Sequence, residues 1–329
     1  MDTAQVLCLG ELLFDCLADR AGLPYEQVTS WTQYPGGAPA NVACGLVKLG
    51  TSSAFLGSVG SDEVGNALVK VLETAGVDIQ GVQRHSTAPT RQVYVVRSYS
   101  GDRYFAGFGD RECSDFADAY LNGDLLPIEL FRDAQYLVLG TLELAYPQTE
   151  QAIRRALELA NEYYLKLVVD VNWRPRFWPD PERAKPLIYD LLGQVDFVKL
   201  SVEEAQFFFE TTDPAAIRDR LPDLEGVAIT AGDGPLHYAI GEGEGILPAF
   251  TVDVKDTTGA GDAFVAGWVR QLCRYGISAL ESPQKVKETI VYASAVSALT
   301  ATEFGAMAAQ PTSEQVEQFL QEEGIAIEG

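Results

Sequence analysis

The chain has 329 residues, with 24 Lys and Arg against 47 Asp and Glu, for a formal net charge of -23. That imbalance repels nucleic acid and anionic membrane surfaces, so neither is an expected partner, while 47% hydrophobic residues suffice for a sizeable core. Five scattered cysteines show no metal spacing or disulfide framework, and two histidines argue against a histidine-based triad or a zinc site. The chemistry is therefore expected from carboxylates, in a cytoplasmic protein with reduced thiols. An N-terminus carrying Asp2, Glu11 and Asp15 without a basic region predicts no signal peptide. The longest apolar run, 290–301, is too short and too rich in hydroxyls to cross a bilayer.

Residues 6–10, VLCLG, form a continuous apolar run, the pattern of a strand buried on both faces. Glu11 and Asp15 follow, Asp15 closing this strand region, and 18–33 then reads as irregular or edge-strand-like. Gly36 and Gly37 open a helix over 39–49, which Gly50 ends. A strand over 53–59 leads to a helix over 61–74 with Ser61 as N-cap and Gly76 as terminator. This alternation predicts a parallel sheet with right-handed crossovers. It breaks between 90 and 110, where 92–99 and 103–105 read as a β-hairpin about Ser100-Gly101-Asp102, an insertion in the α/β series.

The alternation resumes with a strand over 136–140, an amphipathic helix over 147–164 and a strand from 167. The exit of that strand carries Asp170, Asn172 and Arg174, at the carboxyl end where open α/β sheets place their ligand crevice. A strand over 196–200 runs into Ser201-Val-Glu-Glu204, a capping box. A strand over 227–230 runs into a turn containing Thr230, Gly232 and Gly234, and 249–254 reads as a short β-branched strand. A helix rich in Ala and Ser spans 284–301, and Thr312 with Gln315 caps a last helix over 312–320. No repeat or linker interrupts the chain, so one α/β domain over 1–329 is expected.

The stretch on which this order converges is Asp256-Thr257-Thr258-Gly259-Ala260-Gly261-Asp262. Downstream, Ala263, Phe264, Gly267, Trp268 and Leu272 recur at helical spacing, so the seven residues form a strand-to-helix turn. The first N–H groups of a helix lack internal partners and lie at the positive end of its dipole, a natural seat for phosphate. Asp262 places a fixed negative charge beside that seat. Such a carboxylate can take the proton of an alcohol as the alcohol attacks a phosphoryl group held on the N–H groups. An aspartate in a first helical turn is also an ordinary stabiliser, and Asp-Thr-Thr-Gly an ordinary capped turn. No Gly is followed by Lys, which excludes the Walker motif, and Phe264 occupies the third glycine position of the dinucleotide fingerprint.

Residues 256–262 resemble a signature of the ribokinase-like (phosphofructokinase B) family of sugar and nucleoside kinases. A second signature of that family resembles 34–50, YPGGAPANVACGLVKLG. The wording Gly-Gly-Ala-Pro-Ala-Asn is most like that of fructokinases. The resemblance implies a three-layer ribokinase-like α/β fold, its mainly parallel central sheet flanked by helices, with a small β lid inserted at about 13–35 and 90–112. It implies an ATP-dependent sugar kinase, in first place a fructokinase acting on the C6 hydroxyl of fructose. Asp262 would then be the general base, with the N–H groups of Gly259, Ala260 and Gly261 holding the transferring phosphoryl group. Asp15, Gly36, Gly37, Asn41, Asn172 and Arg174 would contact the sugar, and Thr230, Gly232 and Gly234 the nucleotide, with 284–301 bordering the adenine. Glu204 would hold Mg2+, often through water, while Asp256 and Thr258 would contact a monovalent cation, usually K+. The expected partners are a sugar and ATP, in a monomer or a lid-mediated homodimer.

The sequence departs from the family's pattern in four places. Ser201 replaces an Asn, Val171 a Pro, the 230–234 glycines are compressed, and 107–115 keeps little of the usual Arg-Asn-Pro-Ser-Ala-Asp. The last departure leaves the acceptor open to ribose, 2-keto-3-deoxygluconate or adenosine. A kinase-like binding protein without turnover and a nicotinamide-dependent oxidoreductase are the readings from other classes.

Overall fold

A computed structural model of the chain describes residues 3–99 and 103–326. The Ser100-Gly101-Asp102 turn expected for the hairpin lies outside the described residues. The strands are β1 (Val6–Leu9), β2 (Leu13–Ala18), β3 (Trp31–Gly36), β4 (Ser53–Gly60), β5 (Asp78–His85), β6 (Gln92–Arg97), β7 (Arg103–Gly107), β8 (Tyr136–Leu139), β9 (Lys166–Asp170), β10 (Phe197–Ser201), β11 (Gly226–Thr230), β12 (Leu236–Ile240) and β13 (Gly243–Leu247). Nine of them form one sheet in the order β13-β12-β11-β10-β9-β8-β1-β4-β5, parallel from β11 to β5 and antiparallel at β12 and β13.

Side chains alternate between its two faces, as a pleated strand requires. Val6 and Cys8 enter one core with Phe55, Val138 and Phe197, while Leu7 and Leu9 enter the other with Leu56, Leu139 and Val198. The first core is covered by α1 (Ala38–Lys48) and α2 (Glu63–Ala75). The second is covered by α3 (Ile128–Asp133), α4 (Pro147–Glu162), α5 (Ala184–Leu192), α6 (Val202–Phe209) and α7 (Pro214–Arg220). The chain then returns to the first face with α8 (Ala260–Tyr275), α9 (Pro283–Thr300), α10 (Ala306–Ala309) and α11 (Ser313–Glu322). Helices α8 and α9 pack closely, because Gly267 has no side chain: a Cβ there would stand 2.9 Å from the Ala293 Cα.

Strand order reverses beside β1, whose neighbours are β4 and β8. A crevice opens at such a point above the carboxyl ends of the strands. The chain leaves the sheet twice on this side of β8. The chain leaves the sheet through Glu11, forms β2 and β3, and returns through Gly37 into α1. It leaves again after β5 to form β6 and β7. These four strands make a second sheet, β3-β2-β6-β7, with β2 and β6 parallel and the outer pairs antiparallel. The expected mainly parallel sheet with helices on both sides and a smaller β sheet is thus the observed architecture.

The second excursion is anchored by Arg91, which is fully buried and ion-paired with Asp118 at 2.5 Å. Its guanidinium also lies 4.7 Å from the Phe116 ring and 5.1 Å from that of Phe108. At the end of α1, Lys48 donates to the carbonyls of Met307, Ala308 and Gln310, each at 2.9 Å, and so pins the segment around α10.

Several local expectations change. Asp15 lies in the middle of β2, because the backbone turns at Gly10 and starts a new strand at Leu13. The cap of α2 is Asp62 rather than Ser61; its carboxylate accepts from the N–H of Gly65 at 2.7 Å and also holds Thr90. The segment 249–254 is not a strand. Pro248 ends β13 and removes a ladder donor, and Phe250 packs on Phe319 instead. The turn before α8 is therefore entered from an irregular segment. Strands β5, β12 and β13 were not expected at all.

Candidate functional site

Asp262 is the third residue of α8, and its half-buried carboxylate accepts a hydrogen bond from the Asn41 amide of α1 at 2.7 Å. Asn41 Oδ1 is buried and has no donor among the described residues, which suits it to accept from a ligand hydroxyl. Gly259, at φ +78, begins the helix in the left-handed region that favours glycine. A Cβ on Gly261 would stand 3.0 Å from the Lys199 Nζ, so the turn lies close over a buried ammonium.

Lys199 projects from β10 and contacts both carboxylate oxygens of Asp170, at the end of β9, at 3.1 Å. Both are buried. Asn172 follows with φ +35 and donates its N–H to Asp170. Burial pushes the Asp262 carboxyl up to about 6, and the Asp170 charge adds to this, while Asn41, Lys199 and Arg174 pull it back. A carboxylate in that range is a proton acceptor at neutral pH and a poor one below it. Asp15 is also pushed to about 6 by burial, against the pull of Arg103. We therefore expect kcat/KM to rise with pH through about 6 and level off above it, since the deprotonated form is the active one. A pH–rate profile with no acid limb between pH 5 and 7 would contradict this assignment.

Glu204 caps α6 as the sequence indicates. Its two oxygens accept from the N–H groups of Ser201, at 2.7 Å, and Trp173, at 2.8 Å, so it fastens the β9 exit loop to α6. Thr230 pairs in register with Ser201, placing it at the same edge of the sheet. Gly232 has φ +61 and open space where a Cβ would stand, and the Gly234 N–H closes the turn on Ala231. Among the described residues, no group of three or more His, Cys, Asp and Glu is arranged to hold a metal. Magnesium fits this donor set only as an ion carried mainly by phosphates and water, its usual habit, since both oxygens of Glu204, the carboxylate that would hold it, already accept backbone N–H groups.

A cavity of about 580 Å³ lies between the second sheet and the 256–258 turn. The structure brings Asp15, Arg174, Asp256 and Thr258 to its wall, together with Arg97, Arg103 and Phe105. Gly36, Gly37, Asn41, Asn172 and Asp262 are not among its lining residues. A Cβ at Gly36 would meet the Asp15 carboxylate at 2.6 Å, and one at Gly37 the Glu11 carbonyl at 2.2 Å. Arg174 forms no ion pair among the described residues, yet its charge acts on both Asp15 and Asp262. No residue of 107–115 lines the cavity; Phe108 instead packs against Phe116 and Phe177. Thr230, Gly232 and Gly234 lie outside it. A second cavity of about 480 Å³ is bordered by Phe250, Thr251 and the α9 residues Gln284, Val291 and Ser294, where the adenine border was expected.

Burial pushes the Asp256 carboxyl up, but the Thr258 hydroxyl and N–H, the Gly305 N–H and Arg103 together hold it below its usual range. These four partners fill the carboxylate's roughly four lone-pair sites. A potassium ion on this carboxylate would have to displace one of them, so no step is assigned to it.

Sequence reasoning missed Lys199, Arg103 and Glu143. Lys199 was visible as a lone charge inside the apolar run of β10. Glu143 is buried against Glu11 and pushed well above the carboxylate range by that burial, and Glu11 holds the Ala38 N–H at the start of α1. Nothing in the sequence marked this pair.

Comparison with known proteins points to one family. The pfkB family carbohydrate kinase profile matches residues 3–313. Fructokinase-1 of Zea mays is 34% identical over 319 residues, covering 96% of this chain and 97% of the relative. The structure of a fructokinase from Xylella fastidiosa with bound ATP superposes with a TM-score of 0.88 at 29% identity, covering 97% of this chain and 98% of that one. A double mutant of the Vibrio cholerae O395 fructokinase, solved with fructose, ADP and potassium ion bound, has a TM-score of 0.82 at 26% identity, with 97% and 98% covered. With a carboxylate set in the first turn of α8 and relatives matched end to end, the chain belongs to the pfkB family of carbohydrate kinases.

Proposed function

We propose that the chain is an ATP-dependent fructokinase that phosphorylates the C6 hydroxyl of fructose. The observation that carries this reading is Asp262 in the first turn of α8, held by Asn41 beside the N–H groups of Gly259, Ala260 and Gly261. Fructose lies against Asp15 and Arg174 on the cavity wall and reaches past it, its remaining hydroxyls on Asn41 and Asn172. Asp15 suits vicinal hydroxyls because a carboxylate accepts two hydrogen bonds. The C6 hydroxyl faces Asp262, which takes its proton as the oxygen bonds to the γ-phosphorus of ATP and the bond to the bridging oxygen breaks. The N–H groups of the turn stabilise charge on the transferring group without covalent catalysis. Thr230, Gly232 and Gly234 border the nucleotide. Magnesium, when bound with ATP, neutralises phosphate charge that a chain of net charge -23 cannot offset by its overall field.

The second sheet acts as a lid within a single domain, and the chain works as a monomer or as a homodimer through that sheet. Sedimentation at several concentrations separates the two. The compartment we propose is the cytoplasm, in keeping with five free thiols, of which Cys8, Cys16 and Cys44 are buried. No helix among the described residues is long and apolar enough to cross a membrane.

The direct test is ADP release with Mg-ATP and potassium across fructose, ribose, glucose, 2-keto-3-deoxygluconate and adenosine. Fructose is expected to give the dominant response. Dominance of another acceptor would move the assignment to that sugar or nucleoside, and silence with ATP still bound would favour a binding protein.

A further inference from the structure

Arg103 is the one cation that β7 sends across the cavity. Its Nη2 lies 3.0 Å from the Asp256 carboxylate and its Nη1 donates to the Thr258 hydroxyl at 2.5 Å. The two ends of this contact belong to different parts of the fold. Arg103 stands in the second sheet, whereas Asp256 and Thr258 begin the turn whose next N–H groups, at Gly259 to Gly261, form the anion seat. Asp256 is buried and also grips the turn itself, through the Thr258 N–H at 3.0 Å. The guanidinium fork thus closes on a carboxylate already organising the turn, and a planar fork holds two oxygens in a fixed geometry that an ammonium cannot reproduce.

We propose that Arg103 is a positioning residue that ties the second sheet to the anion-binding turn, so that the seat for the transferring phosphate takes its final geometry only when this sheet covers the sugar. The idea rests on the reading of the site given above. It assigns to the lid a role beyond excluding water: the sheet that contacts the sugar also sets the turn that faces the phosphate. A sugar that holds the sheet down would thereby promote transfer to itself over transfer to water.

Arg103 is partly exposed, at 38% of its side-chain surface, so Arg103→Ala should fold normally. Losing this charge-assisted fork is expected to lower kcat/KM for fructose about 10–100-fold while ATP affinity stays within about twofold. Arg103→Lys should recover only part of the loss, and millimolar guanidinium should restore activity to the alanine variant. Hydrogen exchange of the 256–260 amides in the ligand-free protein should become faster in Arg103→Ala. That readout does not depend on the substrate. Unchanged exchange with kcat/KM within about twofold of wild type would overturn the proposal, as would a loss that guanidinium does not relieve. If exchange rises while the unsubstituted protein leaves fructose untouched, the tie stands and the substrate assignment falls.

Discussion

Asp262→Asn is expected to lower kcat by about 10²–10⁴-fold or more, the scale of a general base, while leaving ATP binding intact. Asparagine keeps the shape and can still accept the Asn41 hydrogen bond through its carbonyl oxygen, so the α1–α8 contact survives. What disappears is the capacity to take a proton. The substitution also removes a negative charge beside the triphosphate, so ATP should bind as well as before or better. Steady-state kinetics together with calorimetric ATP titration separate these effects. Turnover near that of the wild type would refute the base assignment.

Lys199→Met should be costly in two separate ways. The ammonium is buried against the Asp170 carboxylate, and removing one member of such a pair leaves the other uncompensated, a loss of about 3–5 kcal/mol in unfolding free energy. Chemical denaturation measures that directly. The second effect is electrostatic. Asp170 already pushes the Asp262 carboxyl up, and Lys199 opposes it. Without Lys199 the acid limb of the pH–rate profile should move to higher pH, so activity at neutral pH falls even where the fold persists. Lys199→Arg keeps the charge and should leave the limb in place if it fits. An acid limb that stays put in the methionine variant, with stability within about 1 kcal/mol of wild type, would show that the pair does neither job.

How far the residues announced this arrangement depends on how much of the information is local. Strands buried on both faces were legible because Val6 to Leu9 or Tyr136 to Leu139 are apolar throughout. The capping boxes at Ser201 and Thr312 were legible because both partners lie within one turn. Strand β13 was not, since Gly243-Glu-Gly-Ile-Leu carries two glycines and is held by pairing to β12 rather than by its own propensity. Strand β5 is an edge on which Gln80 and Arg84 are exposed and only Gly81 is buried. Conversely, 249–254 has the alternation of a strand but no partner to pair with. In the site, Asp262, Asn41 and Asp15 stood out through their motifs. Arg103 did not, because its partners lie more than 150 residues away and only the way the second sheet folds back over the turn brings them together.

The place of Asp262 at the head of α8 has one more consequence. The same helix N-terminus and dipole that attract a phosphate also favour the ionised form of this carboxylate. While the seat is empty, that influence works against the burial and the Asp170 charge that raise this carboxyl. When a phosphate occupies the seat, its negative charge both uses up the N–H groups of that terminus and faces the carboxylate, and like charge favours protonation. The arrival of the group to be transferred thus adds to the strength of a base that burial has already raised, so the enzyme is better able to strip an alcohol of its proton with a phosphoryl donor in place than without one.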